Sequence, residues 1–241
     1  MRLQNDCILQ FQEITKNIDE SFYQTYKEET FMLFSKLYAL NYLTNRVEVS
    51  SSFESSYYNV TSSCLIESFS LLIENHPRGC LLVIRSGLEN FLKHLILAFG
   101  DSTHKIHDRQ YVVNKNTLDK VIEATIEERL QSFIQTINEQ LLSQYKQLSG
   151  LSHSLVPQSK DTIVNYFSEL KIVKQENIDL AIKNYEKLIS YIFDTCVIFT
   201  TKSLKQWEYS LLDELLSLTY GNKKKTSMLN LIKDLPLKSK K

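Results

Sequence analysis

The sequence predicts an all-α protein, and three observations carry that prediction. Gly and Pro number only five and three in 241 residues, too few for the frequent turns of an all-β fold or for glycine-rich nucleotide loops. Long runs rich in Leu, Ile, Lys, Glu and Gln pass without a breaker. Within those runs apolar residues recur at helical spacing. The expected architecture is a helical bundle over 51–220, an additional N-terminal helical arm over 1–50 and a flexible basic tail over 221–241.

Each element has its own signal. Phe11, Ile14, Ile18 and Phe22, then Phe34, Leu37, Tyr38, Tyr42 and Leu43, repeat at helical spacing up to about residue 46, as one long helix or as two with Asp19 or Ser21 as the second cap. The aromatic residues there are expected to pack against neighbouring helices. A serine-rich connector leads to Ser55 or Ser56, which opens a helix through Tyr57, Val60, Cys64, Ile66, Phe69 and Ile73. His76-Pro77 then starts the most apolar long segment of the chain, which stops at Gly100. So short a link predicts an antiparallel hairpin.

The polar loop that follows carries His104, His107, Asp108 and Arg109. Two His and one Asp in a loop are a weak metal signal, and a metal-free loop is expected. Tyr111-Val112-Val113 is too short for a strand. Asn116 and Thr117 are read as the cap of a helix running through Val121, Ile126, Leu130, Ile134, Ile137 and Leu142 to Gly150. A short helix over 162–170 and a long one from Glu176-Asn177 to about Trp207 come next, then an amphipathic segment over 211–218. The tail holds seven Lys against one Asp. It reads as a solvated end or as a basic amphipathic segment that docks on RNA or a partner.

Composition excludes several classes of function. Lys plus Arg equals Asp plus Glu, at 28 each, so no global field recruits nucleic acid or membrane. Cys7, Cys64, Cys80 and Cys196 are widely spaced and form no C-x-x-C, which points away from zinc or redox chemistry and toward a reducing, cytoplasmic setting. The best membrane candidate, 188–199, contains Asp194 and falls short of the about 20 residues a span needs. P-loop, Rossmann, G-x-S-x-G and H-E-x-x-H motifs are all missing. No cofactor and no metal are expected.

Chemistry concentrates on two helices. Leu81, Arg85, Leu88, Glu89, Leu92 and Ile96 fall within one arc of the helix from Pro77, so a cation and an anion one turn apart share a stripe with core residues. A buried charge is costly unless paired. The pair is either a structural tie or part of a site. Tyr145, Lys146, Ser149 and His153 cluster where a later helix ends. Histidine is a natural general acid or base near neutral pH, a fixed Arg or Lys can hold a phosphate, and Glu89 can orient either. Such a set can cleave RNA without metal, because the ribose 2′-hydroxyl is an internal nucleophile.

IRSGLENFLKHL (84–95) followed by YKQLSGLSHSL (145–155) resembles the HEPN superfamily, in particular its abortive-infection-like and uncharacterised bacterial branches. There a helix with an Arg-Ser-x-x-x-Glu-like pattern precedes a Leu-Ser-x-x-x-His pattern. The resemblance implies a bundle of helices, often a homodimer with the motif residues across its interface. It also implies either a metal-independent ribonuclease of toxin–antitoxin or antiviral defence systems, or an inactive dimerisation module. The family's catalytic His follows an Arg after a short spacer. Here only His153 carries over, since the positions for that Arg hold Lys146, Gln147 and Leu148, and no Arg stands anywhere over 130–241. The expected catalytic set is therefore His153, Arg85 and Lys146, supported by Glu89, Ser149 and Tyr145. RNA, an antitoxin or defence partner and a second copy of the chain are the expected partners.

Overall fold

The structure is a computed structural model and describes residues 2–108, 110–152 and 174–233; of Arg129 and Ser152 only the backbone is described. Among these residues every regular element is a helix. In chain order they are α1 (Arg2–Ile14), α2 (Glu20–Thr44), α3 (Ser56–Ile73), α4 (Pro77–Phe99), α5 (Tyr111–Thr125), α6 (Glu128–Ser152), α7 (Gln175–Phe199), the single turn α8 (Thr201–Leu204), α9 (Tyr209–Ser217) and α10 (Asn222–Lys233), with a 3-10 turn at Ser50–Phe53. No helix among the described residues is long and apolar enough to cross a membrane.

Local chemistry explains the boundaries of α2, α3 and α4. Asp19 caps α2 by accepting the Phe22 N–H, and Ser55 caps α3 by accepting that of Tyr58. α3 ends with Asn75 at φ 66°, a left-handed residue that lets the His76 N–H reach the Leu71 carbonyl and the Asn75 N–H that of Leu72. Pro77 then opens α4, where its missing N–H costs nothing.

α3 and α4 form the antiparallel hairpin that the short link predicts. At its centre Gly87 brings the two backbones together. The Thr61 hydroxyl donates to the Gly87 carbonyl at 3.2 Å, and a Cβ added at Gly87 would meet the Cys64 Cβ at 3.1 Å. α4 packs against α3, α5, α6 and α7, so Leu81, Leu88, Leu92 and Ile96 are all buried. α4 is thus enclosed by four other helices.

Three readings of the sequence change. The helix expected to begin at a cap of Asn116-Thr117 and run to Gly150 begins earlier, at Tyr111, and is two helices. Ile126 is extended (φ −94°, ψ 140°) and α6 folds back on α5, held by Lys115 to Asp119 and Glu139 and by Asn138 to Asp119. Neither Gly nor Pro marks the break. The Gln131 side-chain amide satisfies the freed carbonyls of Glu123 and Ile126 instead. Next, α2 contributes Leu33, Ala39, Leu40 and Leu43 to the same continuous core as the bundle, and buried Lys36 reaches Glu186 and Ser190 of α7. Residues 1–50 are therefore packed into the body and do not stand off as an arm. Finally, 222–233 of the basic tail is a docked amphipathic helix and not a flexible end. Met228, Leu229 and Ile232 are buried, Asp194 accepts from Tyr220 and Lys224, and Lys233 donates to the carbonyls of Lys205 and Trp207. The rest of that tail, 234–241, and the helix expected over 162–170 lie outside the described residues.

Candidate functional site

α4 carries Arg85 and Glu89 at the edge of its buried stripe. The i, i+4 spacing sets them one above the other, and the guanidinium Nη2 pairs with the Glu89 carboxylate at 3.0 Å. Neither charge is fully buried: the side chains are 24% and 32% exposed. Nη2 also donates to the Tyr145 hydroxyl of α6 at 3.4 Å, and the guanidinium lies over the Tyr145 ring at 5.5 Å. The structure therefore joins Arg85, Glu89 and Tyr145, three of the residues singled out from sequence, across two helices.

The others are placed differently. Ser149 is half-buried, one turn on from Tyr145 along α6. Lys146 is exposed; a helix turns about 100° per residue, which carries Lys146 away from the face where Tyr145 meets Arg85. His153 lies outside the described residues, just beyond the end of α6 at Ser152. The Arg85–Tyr145 contact stands about 10 Å back from that end, at 1.5 Å per residue.

A fourth member was not legible in the sequence. Tyr111, the first residue of α5, stacks on Tyr145 with ring centroids 3.8 Å apart and planes 4° from parallel. It is 5% exposed. Burial, with Tyr145 and Glu89 beside it, pushes its phenol pKa well up, so it stays a neutral O–H donor. Neither that hydroxyl nor the Arg85 Nε has a partner among the described residues. The only sequence signal was an aromatic residue at the start of a Tyr-Val-Val run, which fits a strand as well as a helix start.

The cluster is thus a cation stacked on a pair of parallel rings, tethered to one carboxylate and open to solvent on one side. It can hold an anionic oxygen or a planar base by charge and stacking. Elsewhere, His104 of the polar loop pairs with Asp101 and Asp108 with Lys93. Among the described residues no group of three His, Cys, Asp or Glu converges as a metal site. All four cysteines are free and buried, and burial raises their thiol pKa values, which leaves them inert.

Set against known protein families, curated proteins and solved structures, the chain matches none.

Proposed function

We propose that this chain is a HEPN-like protein of the defence or toxin class that acts on RNA as a metal-independent endoribonuclease. The observation that carries the reading is the Arg85–Tyr145 contact. No Arg stands over 130–153, the stretch that leads to His153, and a guanidinium reaches α6 from α4 instead. In the proposed reaction a ribose 2′-hydroxyl attacks the adjacent phosphorus and the 5′-oxygen leaves, giving a cyclic phosphate and a free 5′-hydroxyl. His153 is the acid–base group that moves the protons. Arg85 stabilises charge on the phosphoryl oxygens, exposed Lys146 contacts a neighbouring phosphate, and Glu89, Tyr145 and Ser149 orient these groups. A small antitoxin or defence partner and a second copy of the chain are the company such a protein keeps.

A second reading is a catalytically inert interaction module that tethers an effector. It is favoured by the engagement of Arg85, whose Nη2 is already shared between Glu89 and Tyr145 and whose Nε is buried. The test is incubation of purified protein with total RNA and defined tRNAs in EDTA, beside His153→Ala and Arg85→Ala. Cleavage by the unaltered protein and by neither variant supports the nuclease. Absence of cleavage by all three, with the variants folded, supports the module.

A further inference from the structure

A groove of about 880 Å³ lies between the end of α1, the middle of α2 and the C-terminal half of α3. It shares no residue with the Arg85 cluster, so it stands or falls independently of the ribonuclease reading. Its walls are two helical ridges. α2 supplies Phe34, Leu37, Tyr38 and Asn41; α3 supplies Ile66, Phe69, Ser70 and Ile73. Both series follow i, i+3, i+4, i+7, the pattern a helix presents to another helix packed along it. The floor of Phe34, Leu37, Phe69 and Ile73 is buried. At the rim Ile14 and Ile66 are 42% and 52% exposed, large apolar side chains left in water on either side of a slot.

The groove's fixed charges are acidic. Asp19 and Glu74 line it, and no Lys or Arg does. A third carboxylate, Asp6, adjoins it by accepting from the lining residues Gln10 and Tyr38. His76 also lines the groove, but with three carboxylates at it and no Lys or Arg in its lining an incoming segment with basic flanks is drawn to it and an acidic one is repelled. The opening, about two helical turns long at 5.4 Å per turn, has no strand edge for an extended peptide to extend. Its ridges are instead spaced to take the apolar side chains of a helix.

We propose that this groove docks a basic amphipathic α-helix of a partner protein. The partner sets its apolar stripe between α2 and α3, against Ile14, Ile66 and Phe69, and its Lys or Arg flanks beside Asp6, Asp19 and Glu74.

The test uses the full chain and two labelled synthetic helices of about four turns. They share one apolar stripe; one has Lys and the other Glu at every flanking position, and binding is read by fluorescence anisotropy. The Lys peptide is expected to bind at least about tenfold more tightly, a difference of about 1.4 kcal/mol. Ile66→Gln removes an exposed apolar contact in a position where Gln keeps the helix, and it should weaken the Lys peptide about tenfold with an unchanged melt. Glu74→Lys places a cation at the end of α3, where the helix dipole tolerates it; it should narrow or invert the preference between the two peptides. Equal affinity for both peptides overturns the proposal, as does an affinity that Ile66→Gln leaves unchanged. Sedimentation that shows the unaltered chain dimeric and Ile66→Gln monomeric also overturns it, because the occupant is then a second copy.

Discussion

His94 should make this protein less stable as the pH is lowered. Its side chain is 0% exposed and sits among the rings of Phe53, Tyr58, Phe91 and Phe99. Nδ1 lies 2.8 Å from the Ser55 hydroxyl. That hydroxyl oxygen also accepts the Tyr58 N–H at 3.1 Å, and the other ring nitrogen, Nε2, is buried without a partner among the described residues. Charging the ring would bury a cation among four aromatic rings, away from solvent. Burial accordingly lowers the His94 pKa from 6.5 to about 4. The sign follows from this depression. Below about 6.5 the unfolded chain takes up a proton that the folded protein refuses until about 4. The stability is present in full above 6.5 and is lost as pH falls toward 4. Between pH of about 7.5 and about 5 the loss is about 2 kcal/mol, and over the whole window about 3 kcal/mol. Urea unfolding of the unaltered protein and of His94→Phe at both pH values isolates the effect, since phenylalanine fills the aromatic cage and does not titrate. The variant should lose about 2 kcal/mol less than the parent on acidification. Parallel losses in the two proteins would refute the assignment of a buried neutral imidazole.

Other substitutions test the ties that hold the site and the helices. Arg85→Ala should lower stability by about 1 kcal/mol in chemical denaturation, because its pair with Glu89 is part-exposed and such pairs contribute little. A loss of 3–5 kcal/mol, the range for breaking a buried pair, would contradict the exposure of the cluster. Asp194→Ala leaves the Tyr220 hydroxyl without its acceptor and Lys224 without its pair. It should cost about 3 kcal/mol and speed hydrogen exchange throughout α10; unchanged exchange there would separate α10 from Asp194. Gly87→Val forces apart the closest approach of α3 and α4 and should cost about 1–3 kcal/mol, with a lowered Tm. A neutral result would mean that the hairpin accommodates a side chain at its centre.

The sequence alone is enough for the helical class and for the starts of α2, α3, α4 and α7, because these depend on information held within one or two turns. Asp19, Ser55 and Pro77 act on backbone groups two or three residues away, and scarcity of Gly and Pro is visible without any fold. It also determined that Arg85 and Glu89 share a face, since helical periodicity alone stacks i and i+4. How deep that face lies was decided by packing, and the structure leaves both charges part-exposed. The break at Ile126 escaped the sequence because no Gly or Pro marks it. It is stabilised by a Gln131 amide and by the pairing of α5 with α6, interactions that exist only once the chain has folded back. The tail over 221–241 misled through its charge: lysines dominate its composition, while the three apolar residues that dock α10 are buried only once it folds back on α8 and α9. Tyr111 joined the candidate site for the same kind of reason. Stacking on Tyr145 is a contact between residues far apart in the chain, and no local pattern encodes it. Local rules fixed which residues could face together, and tertiary packing chose which of them meet.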